Sequence, residues 1–116
     1  VNVVLGSDIA GGALLSMRDT ATAAVRASKF RWLFSDKKEN FLTVAEAFYL
    51  VTSAGQSYFG AGPGFQKGDS LHALVLDDST LPEASRPLSL CERLERLMYA
   101  IDDNTIVARY SEGELR

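Results

Sequence analysis

The chain has a single cysteine, Cys91, so no disulfide can form within it, a usage that suits a reducing, cytoplasmic compartment. Positive charge is not in surplus. Twelve Lys and Arg stand against fifteen Asp and Glu, a net charge of −3, and the surface field gives no reason to expect nucleic acid or an anionic membrane as a partner. The basic residues are scattered apart from Lys37-Lys38 and the helical pattern around Arg93 and Arg96. No apolar run approaches the roughly 18–20 residues that a membrane-spanning helix needs. Val1–Leu5 lacks both the basic flank and the length of a signal peptide. Internal repeats and low-complexity tracts are also missing. What remains, 116 residues that are 47% apolar and 23% charged, is the composition of one modest soluble globular unit.

Within that unit the residues read as alternating strands and helices. Val1–Leu5 is apolar at four of five positions, the pattern of a strand buried on both faces in a parallel sheet. The chain begins without Met and directly in this run, so a fragment or a processed product is expected. Gly6–Leu15 is a loop with glycines at 6, 11 and 12. Ser16-x-x-Asp19 then opens a helix as a variant capping box, and small residues such as Ala21 and Ala24 carry it until it fades around Trp32–Phe34. After a polar connection over Ser35–Asn40, Thr43-x-x-Glu46 is a full capping box. Val44, Ala47, Phe48 and Val51 give the helix that follows one buried face, and Gly55 is its expected left-handed end.

Gly60, Gly62, Pro63 and Gly64 form a turn-rich bridge, and Lys67-Gly68-Asp69 reads as a tight turn. Leu71–Asp77 is nearly all apolar, hence an expected covered strand containing His72. Asp78–Pro87 is an irregular crossing. Ser89-x-x-Glu92 is a third capping box, opening a helix with Leu90, Leu94, Leu97 and Met98 inside and Arg93, Glu95 and Arg96 turned to water. Asp102–Asn104 is a turn, Thr105–Tyr110 a strand, and Ser111–Glu114 a hairpin turn with little return strand. The order is strand, helix, helix, strand, helix, strand, an α/β reading.

Asp8 is the residue with the clearest chemical promise. A carboxylate at the carboxyl end of a buried strand is where α/β enzymes place their chemistry, although position alone also fits a loop acid or a cap. Gly11-Gly12 ahead of a helix start could cradle a phosphate, but the spacing matches neither a P-loop nor Gly-x-Gly-x-x-Gly. The glycines are better read as letting the backbone pass close to a pocket or a neighbouring loop. His72 reads as a structural strand residue. Cys91, with no base or second cysteine beside it, reads as inert. Asp102 and Asp103 read as turn formers. Trp32 and Phe34 are either an exposed contact for another subunit or ordinary packing.

Ser7-Asp8-Ile9-Ala10-Gly11-Gly12, followed by Ser16-Met17, resembles the last barrel-strand motif of guanine deaminases, members of the metal-dependent amidohydrolase superfamily. Leu42-Thr43-Val44-Ala45-Glu46-Ala47-Phe48, with Thr52 and Gly55, is similar to the helix after that strand. Gly64-Phe65-Gln66-Lys67-Gly68-Asp69, leading into Ala73-Leu74-Val75-Leu76-Asp77, resembles the return into the family's small β-sandwich. Leu94-Glu95-Arg96-Leu97-Met98-Tyr99, then Asp102-Asp103-Asn104 and Ile106, resembles the closing helix and strand.

The resemblance implies a carboxyl-terminal portion of such an enzyme. Residues 1–59 would be the last strand–helix unit of a (β/α)8 barrel, and residues 60–116 the carboxyl-terminal strands of a composite β-sandwich with a closing helix. It implies hydrolysis of a purine, guanine, to xanthine and ammonia with one zinc, with Asp8 beside the metal handling protons of the attacking water. The family's His-x-His pair and further histidines come from earlier strands, and a catalytic zinc needs about three protein ligands. The chain alone, with one histidine, is therefore expected neither to hold zinc tightly nor to deaminate guanine. Substrate-contacting residues also lie mostly upstream in the family, and Ala13 and Leu14 depart from its pattern. A lone buried-type strand at Val1–Leu5 implies self-association by strand pairing or swapping. The competing reading is a small non-catalytic α/β binding or interaction module that uses the Gly6–Ser16 loop.

Overall fold

Ser16, Thr43 and Ser89 each start a helix in the computed structural model, which describes residues 2–62 and 65–116. Two compact units are formed, Val1–Gly55 and Gln56–Arg116.

In the first unit, Ser16 Oγ accepts the Asp19 N–H at 3.3 Å and α1 runs over Met17–Phe34. The Asp19 carboxylate accepts from Arg18 at 3.1 Å. The side chains that α1 buries, Ala21, Thr22 and Val25, are small, and α2 (Val44–Val51) packs against α1 with its own buried residue Ala47. Small residues on facing helices let the axes come close. Thr43 and Glu46 make a complete capping box, the Glu46 carboxylate accepting the Thr43 N–H at 2.8 Å. Ser28 ties the connection down, because its hydroxyl donates to the Val25 carbonyl at 2.8 Å and accepts the Leu42 N–H at 2.9 Å. Trp32 meets Phe41 edge-on at 5.5 Å while Lys37 lies over its ring at 5.3 Å. Phe34, two residues on, is 86% exposed. Trp32 is thus packed within the chain and Phe34 is not.

Two expectations for this unit are corrected. Asn2–Leu5 is not a strand, and Val1 lies outside the described residues. A parallel strand exists only in a ladder, and among the described residues no neighbouring strand flanks this run. Leu5 N–H instead reaches the Leu50 carbonyl of α2 at 3.3 Å, and Val3 is exposed. Gly55 does not end the second helix. Thr52 breaks it, its hydroxyl donating to the Phe48 carbonyl at 2.6 Å, and the chain winds again as α3 (Ser53–Tyr58) straight through Gly55. The left-handed stop is Gly60 (φ +77°), where Ala61 N–H bonds the Gln56 carbonyl at 2.9 Å and Gly60 N–H the Ser57 carbonyl at 3.2 Å. That pair of bonds is a Schellman motif.

The second unit holds a three-stranded antiparallel sheet in the order β1-β2-β3, with β1 over Ala73–Leu76, β2 over Ile106–Ser111 and β3 over Glu114–Leu115. Ala73 pairs with Tyr110 and Leu74 with Arg109, and the register shifts between Val75 and Leu76. Glu112 and Gly113 both have positive φ (53° and 82°), the requirement of the tight hairpin turn into the two-residue β3. The tight turn at Gly68 (φ +101°) is closed by Asp69, whose N–H donates to the Gln66 carbonyl and whose carboxylate accepts the Gln66 N–H. Pro63 and Gly64 of the expected glycine-rich bridge lie outside the described residues.

The covered strand expected over Leu71–Asp77 is shorter and open: His72 precedes it, and Leu74, Val75 and Leu76 are exposed. Its apolar side chains meet no second layer among the described residues. α4 (Leu90–Ala100) buries Met98 and half-buries Leu94 and Leu97, whereas Leu90, its first residue, is 81% exposed and stands off the stripe. Before α4, Arg86 grips Glu92 through two guanidinium nitrogens, and Asp78 accepts from Arg93 at 3.0 Å, so the irregular crossing is pinned to the helix at two points. Among the described residues no helix is long and apolar enough to cross a membrane.

Two stability experiments follow. Gly60→Ala forces alanine into the left-handed region and should cost about 1 kcal/mol, whereas Gly55→Ala, in mid-helix with open space around it, should add roughly 0.5–1 kcal/mol; urea denaturation reads both. The Arg86 guanidinium, with the Ser89 backbone and hydroxyl, holds the Glu92 carboxyl down to about 2. Because the folded value is depressed, this contribution is complete above the ordinary glutamate range near 4.5 and is lost as pH falls toward about 2. A carbon-13 titration of the Glu92 carboxyl should show the low midpoint, and Arg86→Ala should raise it.

Candidate functional site

The loop between the apolar lead-in and α1 is one of two described stretches of the first unit with paired left-handed residues, the other being Asp36 and Lys37 after α1. Asp8 (φ +47°) and Ala10 (φ +74°) both occupy the left-handed region. Aspartate visits it tolerably, but alanine does so at a cost of about 1–2 kcal/mol. Conformations of this kind persist where surrounding bonds over-determine them, and they cluster at functional sites. Here the over-determining bonds converge on the Asp8 carbonyl, which accepts the Gly11 N–H at 2.9 Å and the Gly12 N–H as well.

The glycine pair is required by space. A Cβ on Gly12 would run into the Ser7 carbonyl. A Cβ on Gly11 would stand 2.5 Å from Asp8 Oδ2 and 3.0 Å from its Cγ. The close approach that the glycines permit is therefore to the loop's own residues Ser7 and Asp8.

Asp8 itself is exposed, and among the described residues nothing hydrogen-bonds or pairs with its carboxylate. A capping acid would hold backbone N–H groups, as Glu46 and Glu92 do. The Asp8 carboxylate holds no such group among the described residues. The phosphate reading of the same loop meets a physical objection: at the start of α1, the Asp19 N–H is taken by Ser16, and the Asp19 carboxylate already supplies a negative charge there.

The other candidates do not join Asp8. His72 belongs to the second unit, half-buried just before β1, and Cys91 is exposed in the first turn of α4. Among the described residues no group of three or more His, Cys, Asp or Glu is arranged to hold a metal ion. A catalytic zinc takes about three protein ligands, and among the described residues Asp8 has no partner donors to make up that number. The left-handed turns at Asp8 and Ala10 were invisible in the sequence, which offered the Gly-Gly pair only as room for a close backbone approach.

No family model matches the chain. Across 99% of its length it is similar, at 43% identity and with a TM-score of 0.89, to a crystal structure of guanine deaminase from C. acetobutylicum with guanine bound in the active site. The chain spans 27% of that protein's length. The resemblance read from the sequence is thereby shown in both sequence and fold.

Gly12→Ala sets a side chain against backbone, which cannot swing aside as a side chain can. It should destabilise the first unit by about 1–3 kcal/mol, seen as a lower midpoint in urea.

Proposed function

We propose that this guanine-deaminase-like chain is the carboxyl-terminal portion of a metal-dependent amidohydrolase that converts guanine and water to xanthine and ammonia. The observation that carries the reading is the match over nearly the whole chain to about a quarter of a guanine deaminase. In this reading residues 1–59 complete a (β/α)8 barrel and residues 60–116 contribute to a β-sandwich. The enzyme works in the cytoplasm. Within the first unit Ile9, Leu14 and Leu15, and within the second Leu74 and Val75, are apolar and exposed, which supports their being covered by further polypeptide.

Asp8 carries the chain's share of the chemistry. Its carboxylate takes a proton from the attacking water and delivers it to the departing amino nitrogen, so one group serves as base and then as acid. Zinc, when bound to ligands supplied mainly by the rest of the enzyme, brings the pKa of such a water to about 7. Among the described residues no partner occupies the Asp8 carboxylate, which leaves its oxygens open to a water and a substrate.

The test is ammonia release from guanine by the full-length gene product and by its Asp8→Asn variant. A fall in kcat of roughly 10²–10⁴-fold with unchanged melting temperature is expected, the range for loss of a general acid–base group. The 116-residue chain by itself should release none. Retained turnover in Asp8→Asn would remove Asp8 from the chemistry.

A further inference from the structure

We propose that Gly11 is a positioning residue for the Asp8 carboxylate, its missing side chain leaving the space in which that carboxylate lies. The inference rests on the reading of Asp8 as the proton carrier and extends it to a residue with no chemistry of its own.

Three observations on the loop carry it. First, a Cβ on Gly11 would have Asp8 atoms as its nearest neighbours, with Oδ2 at 2.5 Å, Cγ at 3.0 Å and Oδ1 at 3.3 Å. Unbonded carbon and oxygen do not approach to 2.5 Å, so the carboxylate would have to move by about 1 Å to regain an ordinary contact near 3.5 Å. Second, Gly11 is not in the left-handed region, unlike Gly60, Gly68 and Gly113. No left-handed backbone calls for glycine at 11, so the need for it there is steric. Third, the group that must yield is the end of a side chain, whereas at Gly12 it is the Ser7 carbonyl. Substitution at 12 disturbs the loop; substitution at 11 turns out the acid and leaves the loop standing.

Among the described residues no hydrogen bond or ion pair engages the carboxylate, and the close neighbour on one side of it in this loop is Gly11. Gly11 N–H donates to the Asp8 carbonyl at 2.9 Å, which fixes the backbone of residue 11 relative to residue 8. The wall therefore cannot drift away from the group that it positions. A reacting group misplaced by about 1 Å can lose on the order of 10² in rate.

Gly11→Ala in the full-length gene product should lower kcat for guanine by roughly 10–100-fold while KM stays within about twofold, since the substitution shifts a reacting group and leaves substrate contacts alone. Its melting temperature should match that of the unmodified protein. A crystal structure of the variant should show the Asp8 carboxylate displaced with the Ser7–Gly12 backbone superposable. Asp8→Asn, measured alongside, separates the two ideas. If Asp8→Asn keeps turnover, the parent reading fails. If Asp8→Asn loses turnover and Gly11→Ala keeps its kcat, or loses it only together with a lowered melting temperature and a rearranged loop, the positioning role fails by itself.

Discussion

Residues 7 and 8 occupy the room that side chains at residues 11 and 12 would need, and the chemistry proposed for the chain depends on that crowding. The Ser7 carbonyl excludes a Cβ from Gly12, and the Asp8 carboxylate excludes one from Gly11. The turn is held shut by two N–H groups on one carbonyl. Two such bonds, at about 0.5–1.5 kcal/mol each, are of the right size to offset the left-handed conformation at Ala10, which costs about 1–2 kcal/mol, beside an aspartate that tolerates that region. Strain and restraint therefore balance within six residues. Among the described residues the acid is presented without a salt bridge.

The rest of the first unit gives this loop a fixed exit. Ser16 ends the loop and begins α1 in the same residue, and α1 is anchored by its close approach to α2 through Val25 and Ala47. The second unit is built on different terms. Its helix is secured by charge, Arg86 on Glu92 and Arg93 on Asp78, and its sheet has one apolar strand with nothing laid over it among the described residues. Exposed ion pairs contribute little each, so their part is to fix where the crossing over 78–87 runs.

Local features were legible in the sequence, and features set by distant partners were not. All three caps stood where Ser16, Thr43 and Ser89 announced them, because a capping bond needs only four residues. The hairpin at Glu112-Gly113 was equally plain. The apolar run at residues 1–5 read as a strand, yet strand formation requires a neighbour that the described residues lack. Leu74–Leu76 read as covered for the same reason: composition reports what a segment needs, while burial depends on what is present to meet the need. Gly55 read as the helix end and Gly60 as part of a bridge, but the break falls at Thr52 and the left-handed stop at Gly60. Asp8 was singled out by the company it keeps in sequence, but its left-handed backbone and its close approach to Gly11 are visible only in three dimensions.

The caps also set a timetable for synthesis. Each is complete as soon as four consecutive residues have left the ribosome, so the nascent chain carries the start signals of α1, α2 and α4 without waiting for later sequence. β1 must wait until β2, some thirty residues on, has emerged, and until then Leu74, Val75 and Leu76 have no ladder at all. The stretch from Ile106 on thus decides whether the sheet closes, and a ribosome that stops before it releases a chain with well-started helices and an unpaired apolar strand.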